Sequence, residues 1–138
     1  MKRRLATIGL ATLSVFGFGL ATASEAQAVE YCTPGRLCLY YNSFENDLNA
    51  VFIQTQNIAD YNNINGQRAT FVASSEGSYG AGQSVKNNAA AVINKTDQYV
   101  GIYYNSGYNC EIACQQFRPF SEGNLNATMK NNNASGSL

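Results

Sequence analysis

Residues 37–46 read LCLYYNSFEN, and residues 100–109 read VGIYYNSGYN. In both copies apolar residues alternate into a tyrosine pair, and turn-forming asparagine and serine follow, which is typical of a strand that enters a tight hairpin. A second echo, NNAAA at 87–91 and NNNAS at 131–135, closes each half of the chain. Because a single motif of this kind buries too little surface to be stable, the repeat predicts two homologous β motifs packed into one domain.

The two motifs differ in length. The tyrosine pairs lie 63 residues apart and the asparagine runs lie 44 apart, so the first motif is longer by the difference of 19 residues. We place these extra residues within 61–83. The first motif is then expected over about 31–94 and the second over about 98–138.

Short segments that are rich in β-branched or aromatic residues, and bounded by Asn, Gly, Ser or Pro, predict an all-β fold. Helical periodicity is nearly absent, and residues 56–62 are long enough for only a single turn. The predicted strands are 36–41, 50–55, 68–73, 89–94, 99–104 and 114–117.

The amino terminus has the order of a secretory signal. Basic residues at 2–4 precede an apolar stretch over 5–23, and Ala26-Gln27-Ala28 then fits a small-x-small cleavage site. This order predicts a signal peptide over 1–28 and a mature, single-domain chain over 29–138. A membrane anchor is the alternative, but no basic stop-transfer flank follows the apolar stretch. We therefore expect a secreted, extracellular protein.

The net charge of the mature chain argues against some classes of binding partner. Six Lys and Arg face eight Asp and Glu over 29–138, which leaves no electrostatic footprint for nucleic acid or for an anionic membrane. Asparagine is in excess, and many of these residues stand beside Gly or Ser, where tight turns need them. We expect neither a nucleic-acid nor a membrane partner, and we expect a monomer.

All four cysteines, at positions 32, 38, 110 and 114, fall in the mature chain. An even number in an exported protein predicts two disulfides, for which three pairings exist. Loop entropy favours long bridges, since a Cys38–Cys110 ring would stabilise by about 4 kcal/mol and a five-residue ring by about 2. The spacing beside two hairpins favours the local pairs Cys32–Cys38 and Cys110–Cys114, which we adopt.

No catalytic or metal-binding constellation is visible in the sequence. The chain has no histidine, so it lacks the histidine on which the common triads and most zinc sites depend. The acidic residues are scattered singly through turns, and cysteines held in disulfides cannot act as nucleophiles. We therefore predict a protein that is not an enzyme, with no cofactor and no bound metal.

The segment CTPGRLCLY at 32–40 resembles the Cys-Pro-x-Gly-x-x-Cys-Leu-Tyr opening of secreted actinobacterial peptidase inhibitors, a family typified by the Streptomyces metalloproteinase inhibitor. Residues 86–92 and the tail at 123–135 are also similar to that family. The proline stands one place later here, at Pro34. The resemblance implies a βγ-crystallin-like sandwich of two Greek-key motifs, and it supports the local disulfide rings.

The crystallin-like hairpin can be followed residue by residue. Tyr103 and Tyr108 match its aromatic pair, and Cys110 stands where a glycine usually adopts a left-handed backbone. In the first copy the pair is Tyr40 and Phe44. Many such motifs also bind calcium through an Asn/Asp-rich run, but the runs at 87–92 and 131–136 supply no carboxylate, so we expect no calcium site.

The resemblance further implies an inhibitory loop, the disulfide-closed ring Cys110, Glu111, Ile112, Ala113 and Cys114. The implied partner is an extracellular protease, and the founding member indicates a metalloprotease. Where that member has an apolar residue directly after its first ring cysteine, this chain has Glu111, followed by Ile112, and its ring is one residue shorter. Three alternatives follow: a site shifted to Glu111–Ile112, a different target protease, or a ring that only staples a hairpin.

Two other functions remain open from the sequence. One is a structural protein of the cell surface or spore envelope, in which Tyr and Asn cover a polar face. The other is a small secreted toxin of crystallin-like fold. Of the three candidate functions, only the inhibitor requires the Cys110–Cys114 ring to be exposed and rigid.

Overall fold

The computed structural model describes residues 28–138. The predicted signal peptide therefore lies outside the described residues, except for Ala28. Within that range no helix is long and apolar enough to cross a membrane. The regular elements are β1 (Leu37–Tyr40), a 3-10 turn (Phe44–Asn46), β2 (Val51–Gln54), β3 (Ala91–Asn94), β4 (Val100–Tyr103), β5 (Cys114–Phe117), β6 (Glu122–Asn124) and β7 (Ser135–Ser137). The all-β prediction is confirmed.

Two antiparallel sheets form the molecule, with strand orders β2-β1-β3-β6 and β5-β4-β7. The motifs interlock, because β6 belongs to the second motif and pairs with β3 of the first. In return Ile58 of the first motif exchanges two backbone hydrogen bonds with Gly136 of β7, at 2.9 and 3.0 Å. Each motif therefore lends a segment to the other motif's sheet, which joins two Greek keys into one domain.

The strand registers repeat between the two motifs. In the first motif Leu37 pairs with Gln54 across the sheet, and in the second Val100 pairs with Phe117. Both residues of the second pair lie 63 positions after their counterparts in the first. Directly after each pair of strands, one hydrogen bond recurs. Tyr41 N–H donates to the carbonyl of Ala50 at 2.9 Å, and the Tyr104 N–H bond to Ala113 measures 3.0 Å. The predicted equivalence of the two tyrosine pairs is confirmed.

The two asparagine runs contact each other through a symmetric pair of backbone hydrogen bonds. Asn87 N–H donates to the carbonyl of Asn133 at 2.8 Å, and Asn131 N–H donates to the carbonyl of Ala89 at 2.9 Å. Asn87 and Asn131 both have left-handed backbones, with φ of 63° and 59°. Asparagine tolerates this conformation better than most side chains, which explains why it recurs at both positions.

The main core lies between the sheets. Alternate residues of β1 and β4 point into it, and Phe71, Met129 and the fully buried Tyr61 fill the space between them. The opposite face of β1 is also covered, because Cys38 and Tyr40 pack in a second cluster with Leu48. Both faces of β1 are thus buried, so this strand is apolar along its whole length.

The extra residues of the first motif lie between Ile58 and β3, and they form no regular strand. The prediction of a strand at 68–73 is wrong. Val72 bonds to Val51 and Thr70 bridges to Ser84, but these are isolated bridges. Glycines with positive φ at positions 77, 80 and 82 turn the chain away before a ladder can develop. The predicted turn at 56–62 is not helical, since Ile58 pairs with β7.

Candidate functional site

The candidate site lies on the hairpin that joins β4 to β5. Its backbone turns at Gly107 and Tyr108, which have left-handed φ values of 74° and 61°. The rings of Tyr103 and Tyr108 pack edge to face with their centroids 5.9 Å apart. Cys110, expected at a left-handed position, has no positive φ. The reversal is completed two residues earlier, so the cysteine can adopt an ordinary backbone and form its disulfide.

A buried serine holds this hairpin against β7. Ser135 Oγ donates to the carbonyl of Asn105 at 2.7 Å and accepts the N–H of Tyr108 at 3.1 Å. A second anchor comes from the first motif, where the carbonyl of Ala59 accepts the N–H of Gly107 at 2.7 Å. In the sequence Ser135 belongs to the asparagine run that closes the second motif, which indicates no contact with the hairpin. The structure gives it the role of a clamp.

The Cys110–Cys114 disulfide closes the predicted ring, with Cα atoms 5.0 Å apart. Asn109 Oδ1 accepts the N–H of Glu111 at 2.7 Å on one side. On the other side Ala113 packs against the core, and its carbonyl accepts the N–H of Tyr104. Between these anchors Ile112 keeps 61% of its surface exposed. The five predicted loop residues thus form a compact projection with one apolar side chain at its surface.

The second disulfide, Cys32–Cys38, lies in a different setting, with Cα atoms 6.0 Å apart. Cys38 is fully buried in β1 and packs on the outer face of the first sheet. The backbone of the ring is also paired: Gly35 N–H donates to the carbonyl of Lys95, and the carbonyl of Arg36 accepts the N–H of Lys95. This ring therefore fastens the amino-terminal segment to the sheet.

The asparagine runs line two related polar clefts, and each cleft contains a lysine. In one of them Lys86 Nζ lies 3.0 Å from Asp60 Oδ1 and 3.2 Å from Ser106 Oγ. The backbone N–H of Asn62 and the Lys86 ammonium lower the pKa of Asp60. Lys130 lines the other cleft. An ammonium group in each cleft disfavours a second cation there. Over residues 28–138 no group of three or more His, Cys, Asp or Glu could hold a metal.

Comparisons with known proteins bear on this geometry. Residues 59–115 match the model of peptidase inhibitor family I36. This match supports the family that the sequence predicted. The matched region contains the whole Cys110–Cys114 ring, the hairpin that carries it and the Ala59 anchor. No protein of curated function matches significantly.

The fold has a solved counterpart. A structure described as "Evolution of the eye lens beta-gamma-crystallin domain fold" superposes with a TM-score of 0.56 and 12% identity, over 80% of this chain and 92% of that one. The likeness shows the βγ-crystallin fold, as the sequence predicted. The family match supports a peptidase inhibitor, a protease as its partner and a protein that is not an enzyme. Two disulfides fit a secreted protein.

Proposed function

We propose that this protein inhibits an extracellular protease by placing the Cys110–Cys114 ring in the active-site cleft. The observation that supports this most is the exposure of Ile112 at the surface of a ring whose flanks are both hydrogen-bonded. When an exposed apolar side chain on a fixed backbone enters a pocket, little free energy is spent on ordering the backbone. Binding then keeps more of the free energy gained from burial.

The disulfide gives the ring a second property. If the protease cuts a bond inside the ring, Cys110 and Cys114 hold the new ends together, and the anchors at Glu111 and Ala113 keep them near their original positions. The cut form then stays in the cleft and can be rejoined instead of leaving as product. A ring of this kind acts as an inhibitor where an open loop would act as a substrate.

We assign Glu111–Ile112 as the bond presented to the protease. A thermolysin-like metalloprotease prefers an apolar residue directly after the attacked bond, and Ile112 is the only large apolar side chain in the ring. Glu111, which is also exposed, would then lie on the other side of the attacked bond. This assignment makes a metalloprotease of that class the target.

The test is to titrate the mature protein, which should begin at Val29 by mass spectrometry, against metallo-, serine and cysteine proteases. We expect stoichiometric inhibition of at least one thermolysin-like enzyme, reversible on dilution. Ile112→Ala and the wild type should be compared on the same enzyme. If no protease in the panel is inhibited at micromolar concentration, the function is wrong and the envelope-protein alternative takes its place.

A further inference from the structure

Strand β5 lies at the edge of its sheet and begins at the cysteine that closes the ring. In an antiparallel pair, successive residues point their backbone N–H and C=O groups alternately toward the neighbouring strand and away from it. The carbonyl of Ala113 points toward Tyr104, to which it is bonded. Two of the following residues, Cys114 and Gln116, therefore direct their backbone groups outward from the sheet.

The first motif shows this direction independently. Val51 occupies the place of Cys114 in the repeat, at the start of β2, which is also an edge strand. Its N–H and C=O both bond to Val72, at 2.9 Å each. The inserted segment, residues 61–83, thus covers the edge of β2 through Val72. The covered position, Val51, corresponds to Cys114 on β5.

No equivalent segment covers β5. Within residues 28–138, the outward backbone groups of Cys114 and Gln116 have no backbone partner. Folded proteins usually protect such an edge with charge, proline or a covering segment, since it can accept a further strand. The neighbouring side chains Gln115 and Gln116 are neutral, and proline first appears at Pro119, beyond the strand. The edge is therefore open where it leaves the ring.

We propose that this edge pairs with an extended backbone segment of the target protease, so that contact runs without interruption from Ile112 to Gln116. The inference rests on the proposed function and adds a second contact to it. The short distance between the ring and the edge indicates that the protease is the partner of the edge. Cys114 is two residues from Ile112, about 7 Å at most along the chain. The protein that binds Ile112 therefore also lies next to Cys114. Strand addition of this kind supplies affinity through backbone hydrogen bonds with little dependence on side chains.

The decisive variant is Gln116→Pro, which removes the outward N–H together with the glutamine side chain. Proline is tolerated on an edge strand when the missing N–H faces solvent, so the sheet should remain intact. Its matched control is Gln116→Ala, which keeps the N–H and removes a side chain that makes no hydrogen bond within the described residues. We expect Gln116→Pro to weaken inhibition about 10-fold and Gln116→Ala to change it less than 2-fold, at equal thermal midpoints.

Amide hydrogen exchange of the wild type provides a measurement that does not depend on the proline variant folding. The Gln116 amide should exchange rapidly in the free protein and become protected in the complex with protease. Equal inhibition by Gln116→Pro and wild type would refute the edge contact and leave the proposed function standing. Protection of Gln116 in the free protein, together with concentration-dependent sedimentation, would instead assign the edge to a second copy of this chain. Failure of the wild type to inhibit any protease would refute both proposals.

Discussion

Ile112 is the residue on which the proposed inhibition most depends. Burying this side chain in a protease pocket should contribute roughly 1.5–3 kcal/mol. Ile112→Ala should therefore raise the inhibition constant about 10-fold or more without changing the thermal midpoint, because the side chain is exposed in the free protein. Val72→Ala, which trims an exposed apolar side chain of the inserted segment, is the matched control. Equal inhibition constants for Ile112→Ala and wild type would show that the pocket receives another residue.

We expect Ser135 to support the proposed inhibition from inside the molecule. Its hydroxyl bridges the carbonyl of Asn105 and the N–H of Tyr108, and the equivalent residue of the first motif is Ala91. Ser135→Ala should lower the free energy of unfolding by about 1 kcal/mol. It should also weaken inhibition severalfold, because the hairpin that carries the ring loses its attachment to β7.

A second serine separates these two effects. Ser74 makes the same pair of contacts in the inserted segment, donating to the carbonyl of Asn49 and accepting the N–H of Glu76. Ser74→Ala should cost similar stability, measured by urea unfolding, and leave the inhibition constant unchanged. If both variants weaken inhibition equally, Ser135 acts only through global stability.

At the level of elements, we expect the Cys110–Cys114 ring to decide whether the protein acts on the protease as an inhibitor or as a substrate. Cys110→Ser with Cys114→Ser removes the covalent link while leaving the Asn109 and Tyr104 hydrogen bonds in place. The variant should bind the protease transiently and then be cut, with mass spectrometry showing cleavage at Glu111–Ile112. The wild type under the same conditions should remain intact or reach a stable mixture of cut and uncut forms. Persistent, uncut inhibition by the open variant would show that the disulfide is dispensable.

The elements also show where sequence reasoning works and where it does not. Strands β1 to β5 were all predictable, because they are short segments with apolar, β-branched or aromatic side chains between turn-forming residues. Strands β6 and β7 read EGN and SGS, which carry no strand preference. They are extended because neighbours pair with them. At Gly136 a side chain would collide with Tyr61 and Gln54, so glycine here reflects packing that only the fold reveals.

The ring itself was visible in the sequence, but its supports were not. Two cysteines four residues apart beside a repeated hairpin gave its position. Ser135 and Ala59 act through a hydroxyl and a backbone carbonyl on partners that are distant in sequence and that only the fold brings to them, whereas Asn109 bonds locally to Glu111. Likewise the segment at 68–73 has the composition of a strand, but its single bridge to β2 covers an edge without extending the sheet.

At the level of the whole molecule, the two motifs have diverged in complementary ways. The first has an extra segment that contributes Ala69 and Phe71 to the core and covers the edge of β2. The second kept a short connection and an open edge, and its hairpin is closed by the disulfide ring. The two motifs therefore differ in how they are completed: the extra segment covers the first, and the second carries the ring and the open edge that we propose for the protease.

Two buried tyrosines, Tyr61 in the main core and Tyr40 in the second cluster, make the stability depend on pH. Burial raises the pKa of Tyr61, whose hydroxyl donates to Gln54 Oε1 at 2.8 Å. Burial, with smaller contributions from Glu76 and Glu122, raises the pKa of Tyr40 to about 12. Unfolded tyrosines ionise near the ordinary pKa of 10.0. Between these values the unfolded chain binds fewer protons than the native one, so stability is fully present below pH 10 and falls as the pH rises toward 12.

Urea unfolding at pH 7, 10 and 11.5, with the disulfides intact, measures this decline. Tyr61→Phe should be less stable than wild type at pH 7 by about 1–2 kcal/mol, since buried Gln54 loses a hydrogen-bond partner. It should also lose less further stability between pH 10 and 11.5, because one buried phenol no longer has to ionise on unfolding. Tyr99→Phe, at a side chain 62% exposed, should follow the wild-type pH dependence. If Tyr61→Phe and wild type decline in parallel, the alkaline loss does not come from the core that the two motifs share.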